Sequence, residues 1–159
     1  VRSGLKPGFI KVGDRVTIVE VGANKPLTAV VKTGTGTLVL TGDGGFVARS
    51  TDDCKSFRKV AVDTTVDLES VAALADGRVV VVGDRGTALV SADDGQTFAA
   101  VDIDDSGHLW CVTAFGDGAL IGGDEGKIWK LAPALRTASD AADPDDVWRS
   151  AFSTRFEII

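Results

Sequence analysis

Residues 91–98 read Ser-Ala-Asp-Asp-Gly-Gln-Thr-Phe, and 41 positions earlier residues 50–57 read Ser-Thr-Asp-Asp-Cys-Lys-Ser-Phe. The same spacing links other landmarks. Gly42-Asp43-Gly44-Gly45 returns as Gly83-Asp84-Arg85-Gly86 and as Gly123-Asp124-Glu125-Gly126, at steps of 41 and 40 residues. Leu27, Leu68 and Leu109 recur at steps of 41. Three separate landmarks on one period mark a repeat protein.

Each repeat reads as several short strands. In the middle one, Leu68–Ala73 is a short apolar segment and Asp76-Gly77 a tight-turn dipeptide. Arg78–Val82 is a β-branched run, Thr87–Val90 a third strand, and Phe98–Ile103 a fourth beyond the 91–98 turn. No segment carries a sustained helical period with caps, so the expected class is all-β. Pro133–Asp146 (PALRTASDAADPDD) breaks the pattern and is predicted to be an insertion loop.

The ends carry partial units. Phe9–Val12, a Gly13-Asp14 turn and Val16–Val21 resemble the last two strands of a repeat. Val147–Phe152 (VWRSAF) resembles the start of another, LWCVTAF from Leu109. The third repeat shows no clear fourth strand. The sum is about four blade-equivalents of about 41 residues in one domain, 1–159. The half-units would close a ring of four units, or the chain would pair with a second copy, or it would be a segment of a longer ring. A β-trefoil is the rival fold, since it too has three repeats of similar length.

The segment at 91–98 resembles the Asp-box (BNR-type) pattern, in which Ser, Asp, Gly, Thr or Ser, and Trp or Phe stand at fixed positions. Ser91, Asp93, Gly95, Thr97 and Phe98 match. The earlier copy matches at Ser50, Asp52, Ser56 and Phe57 and departs at Cys54, where glycine is expected. The third repeat has LAPALRTAS in that place. The resemblance implies an Asp-box β-propeller similar to sialidase-like and photosystem II assembly factor-like propellers, and covers roughly Leu27–Leu131. The box is expected to be structural. Its Asp and Ser side chains can satisfy turn N–H groups, Gly supplies a positive φ, and the aromatic residue anchors the next strand. Cys54 would strain such a turn. The Gly-Asp-X-Gly units lie between strands and read as hairpin turns, because a phosphate-binding loop needs a following helix.

Composition narrows the function. The net charge is −6, with 17 basic and 23 acidic side chains, which argues against nucleic acid as the main partner. No apolar run is long enough for membrane insertion, and no signal peptide is read at the N-terminus. Since the first residue is Val1, the expectation is a mature or trimmed product. Compartment stays open, with an extracytoplasmic origin favoured only by the family resemblance. The two cysteines, Cys54 and Cys111, are expected as free thiols, although one bridge is arithmetically allowed.

No catalytic residue is assigned. Sialidases use a tyrosine nucleophile, and the chain has no tyrosine. His108, the one histidine, is expected in a polar turn and is a candidate ligand contact. Cys111 reads as a small core residue. Carboxylate pairs for glycoside hydrolysis cannot be selected from 23 acids. Asp102, Asp104 and Ser106, at alternate positions before Gly107, resemble the first half of a calcium loop. Thr113 stands where a bidentate Glu would follow, so the expectation is a solvated turn and no metal or other cofactor. Asp143-Pro144-Asp145-Asp146 is expected as an exposed loop. Trp110 and Trp129 are expected in core or inter-blade packing, and Trp148 as a candidate contact residue.

The first functional expectation is a non-enzymatic protein-interaction or scaffold module. The alternatives are a glycan-binding propeller and part of a glycoside hydrolase with unidentified acids. Expected partners are therefore a protein, or a glycan, with a second copy or the remainder of a longer propeller as further candidates.

Overall fold

Val79, Val80, Val81 and Val82 are all fully buried. A strand whose two faces are both buried must lie between two layers. In this computed structural model, residues 15–134 are described, together with the backbone of 156–158. They form three four-stranded antiparallel sheets, each built from strands consecutive in the chain. The first sheet is β1 (Leu27–Lys32), β2 (Leu38–Gly42), β3 (Phe46–Ser50) and β4 (Arg58–Val60). The second is β5 (Leu68–Ala73), β6 (Val79–Gly83), β7 (Ala88–Ser91) and β8 (Ala99–Val101). The third is β9 (Leu109–Phe115), β10 (Gly118–Gly123), β11 (Ile128–Leu131) and β12 (Phe156–Ile158).

The sheets stack as blades. Val79 and Val81 join Val39 and Val47 of the first sheet, while Val80 and Val82 join Ile121, Trp129 and Leu131 of the third. The first strands β1, β5 and β9 run side by side. Thr28 donates its hydroxyl to the Leu68 carbonyl, and the Val112 amide donates to Ser70 Oγ at 3.3 Å. Val62 and Ile103, each on the link between two blades, pack into the two interfaces. The four-stranded, sequentially ordered sheet is the unit of a propeller and not of a trefoil.

Some expectations need correction. Val16–Val21 is not a strand: residues 15–23 hold no regular structure, and Val16 and Ile18 are 92% and 89% exposed. An apolar alternation becomes a strand only beside a hydrogen-bonding partner, and none of the described strands pairs with it. Val21 and Ala23 still cover Leu40, Phe46 and Ala48 of the first blade. The third repeat does have a fourth strand. β12 pairs antiparallel with β11, Leu131 opposite Phe156. Cys111 is exposed and not in the core, since β9 turns Leu109 and Val112 to the second blade and leaves Cys111 on its other face. Both cysteines are free. Trp129 is buried, whereas Trp110 is 52% exposed. The proposed strands at Phe9–Val12 and Val147–Phe152, Trp148, and residues 135–146 of the insertion loop lie outside the described residues. No helix among the described residues is long and apolar enough to cross a membrane.

Candidate functional site

Up-and-down strands place two sets of loops at opposite ends of the blades. One end carries the Asp-box turns and the links between first and second strands. The other carries the Gly-Asp-X-Gly turns and the segments leading into β1, β5 and β9.

At the first end, the box residues hold their own turns. Ser91 Oγ donates to Asp93 Oδ1 at 2.7 Å and accepts from the Gly95 amide at 2.9 Å. Asp93 accepts from the Thr97 amide at 2.9 Å and the Thr97 hydroxyl at 2.5 Å. Ser50, Asp52, Cys54 and Ser56 repeat the arrangement, with 3.2 Å from the Cys54 amide to Ser50 Oγ and 2.6 Å from the Ser56 hydroxyl to Asp52. The Ser56 hydroxyl and amide and the Ser50 hydroxyl hold Asp52 down to about 2. Burial raises Asp93, but the Thr97, Ser91 and Gln96 donors outweigh it and bring it to about 2 as well. Phe57 and Phe98 are half-buried against the first blade's core and the interface with the second.

Asp94, beside the box, was not singled out by the sequence. It accepts from the Thr35 hydroxyl at 2.8 Å and the Thr37 hydroxyl, and faces Arg49 at 3.4 Å, so it ties the second blade to the first. Where the third repeat lacks a box, buried Arg78 makes the tie. It pairs with Asp76 at 2.7 Å and donates to the Ala132 carbonyl at 3.0 Å. These side chains are committed to holding blades together. A groove of about 360 Å³ beside them is lined by Thr33–Thr35, Ala73–Ala75 and Asp93.

At the other end, each Gly-Asp-X-Gly unit is a hairpin turn. The amides of Asp43, Asp84 and Asp124 donate to the carbonyls of Pro26, Asp67 and His108 at 3.0–3.1 Å, just before the first strand of the same blade. The last glycine of the first two units reaches the next blade. The Gly45 amide donates to Val66 and the Gly86 amide to Gly107, at 2.7 and 2.6 Å. A Cβ on Gly86 would overlap the Asp105 carbonyl.

On that scaffold stands a cluster with an exposed aromatic ring, Trp110. His108 Nδ1 lies 2.5 Å from Asp84 Oδ1 of the preceding blade. The His108 ring stacks on Trp110 with centroids 5.1 Å apart and 16° between planes. Asp124 accepts from the His108 amide at 2.9 Å and from Trp110 Nε1 at 2.7 Å. The Asp84 hydrogen bond raises His108 above its ordinary value, against partial desolvation, with Asp124 and Glu69 adding to the rise. Glu69, 41 residues before Trp110 in the repeat, has no hydrogen-bond or ion-pair partner among the described residues. Burial, then Asp84, Asp43 and Asp67, push its carboxyl up, and His108 pulls the other way. Lys127 is held between Asp105 and Glu125 at 3.0 and 2.9 Å.

Of the candidate residues, His108 enters this cluster, while the box residues sit at the opposite end. Trp110 and Asp84 were read only as packing and turn residues. The signal that would have found Trp110 is the repeat register: positions 28, 69 and 110 hold Thr, Glu and Trp, a position free to vary between blades, whereas Asp stands alike at 43, 84 and 124 and marks out none of the three. Asp102 and Asp104 flank buried Ile103, and Asp102 accepts from the Asp104 amide at 2.8 Å, as an Asx turn does. Among the described residues no group of three or more His, Cys, Asp or Glu side chains is placed to hold a metal ion.

No family model matches the chain, and no curated protein matches it. Among solved structures, YCF48 bound to D1 peptide is similar, with a TM-score of 0.62 at 15% identity over 75% of this chain. The blades are propeller-type. The chain spans 40% of the length of that YCF48 chain. At this identity the likeness is one of fold.

Proposed function

We propose that the chain is a protein-interaction module that docks a partner segment on the end of the blades carrying His108 and Trp110. The observation that carries this reading is Trp110: half-exposed, yet fixed by a stacked ring on one side and by Asp124 at its Nε1. An immobilised, half-exposed indole contributes contact area with little ordering cost, as interface hot spots do. The fold is similar to that of YCF48, which is described with a bound peptide. In this reading the pairing of His108 with Asp84 fixes the ring against Trp110.

Glycan binding is the second reading, because an exposed indole beside carboxylates also stacks on sugar rings. Display of a random peptide library against the chain tests both, with a glycan array run alongside. A peptide family whose capture is lost in Trp110→Ala supports docking. Glycans captured through Trp110, with no peptide enriched, would overturn it.

A further inference from the structure

Around Trp110 the carboxylates outnumber the groups that balance them. Asp84 and Asp124 hydrogen-bond to the His108–Trp110 stack, Glu69 on the adjoining strand β5 acts on the His108 charge, and Asp43 and Asp67 act on Glu69 from the neighbouring turns. Asp124 is spent on the His108 amide and the indole, and Asp67 on the Gly44 amide at 2.7 Å. Lys127 is occupied by Asp105 and Glu125. Among the described residues, Lys25 and Arg85 on the loops of this end form no ion pair with these carboxylates. Among the described residues Asp43 and Glu69 are left with no hydrogen-bond or ion-pair partner, and of the two it is Glu69 that acts on His108, whose ring is already hydrogen-bonded to Asp84.

We infer that the partner docked here presents a basic side chain, an arginine foremost, which lies on the open face of Trp110 and pairs with Glu69. This rests on the docking reading above and names its ligand. A guanidinium can stack flat on an indole while its N–H fork meets a carboxylate, two demands that this surface makes together. An acidic partner would meet uncompensated like charge, and a neutral one would leave Glu69 unpaired beneath it. The fitting partner is a basic segment of another protein.

The test uses two fluorescein-labelled peptides, one alternating arginine and serine, the other glutamate and serine, read by anisotropy and by Trp fluorescence of the chain. The arginine peptide is expected to bind, to perturb the indole emission and to weaken as salt is added. Glu69→Gln is expected to weaken it about fivefold. Asp53→Asn, which removes the same charge from an exposed turn at the opposite end, is expected to leave it unchanged. Glu69 has no internal partner, so its substitution does not threaten the fold. Equal loss in Glu69→Gln and Asp53→Asn would reduce the effect to net charge and overturn the inference, as would no binding above the glutamate control. A library that enriches non-basic peptides dependent on Trp110 overturns this inference alone, whereas one that enriches no peptide overturns the docking reading itself.

Discussion

Gly95 of the second blade lies against Val39 of the first, so closely that a Cβ at position 95 would sit 2.8 Å from Val39 Cγ2. Its φ of +79° adds a second reason for glycine. The box glycine therefore serves the joint between blades as well as the turn. Gly95→Ala is expected to cost about 1–3 kcal/mol, read as a lower denaturant midpoint with an unchanged slope.

Cys54 holds the matching position in the first blade, also in the left-handed region at φ +67°. A side chain held there carries a backbone cost that glycine avoids. Cys54→Gly is expected to stabilise by about 1 kcal/mol. Chemical denaturation of the two chains side by side checks this, and a loss of stability would refute the strain account.

Acid should unfold the chain through its boxes. Asp52 and Asp93 are depressed in the folded state, so their contribution is complete above the ordinary value of 3.8 and is lost as pH falls through about 2. Melting temperature is expected to fall across that window. In Asp93→Asn the curve should be flatter there, with a lower plateau at neutral pH.

The His108–Asp84 pair has the opposite sign. The folded value of His108 is raised, so its contribution is full below 6.5 and fades as pH rises through the raised value. NMR titration of the imidazole should give a midpoint above 6.5 in the parent chain. In Asp84→Asn that midpoint should drop. An unchanged midpoint would mean that the pair does not form in solution.

The architecture was legible because three motifs shared one period, and a blade repeats its turns whatever else it varies. Gly42–Gly45 and its two copies were readable as hairpin turns. Their second task was not, because the Asp105 carbonyl that crowds Gly86 comes from the next blade. Contacts between repeats leave no local mark. Cys111 and Trp110 were misread for a related reason. Alternation along a strand tells two faces apart but cannot say which has a neighbour. β12 escaped notice because residues 132–155 separate it from β11, whereas only residues 92–98 lie between β7 and β8. The cluster around Trp110 was half legible. His108 drew attention as a lone imidazole, but Glu69 and Asp84 acquire meaning only when two blades stand side by side.

The valine run of β6 has a bearing on time as well as on packing. Its backbone protons lie between two buried interfaces, and no fraying of either outer sheet alone uncovers them. They should exchange with solvent only when the whole stack opens, at a rate that reports global unfolding. The central strand is thus the molecule's slowest clock, and its deuterium uptake times the lifetime of the assembled blades.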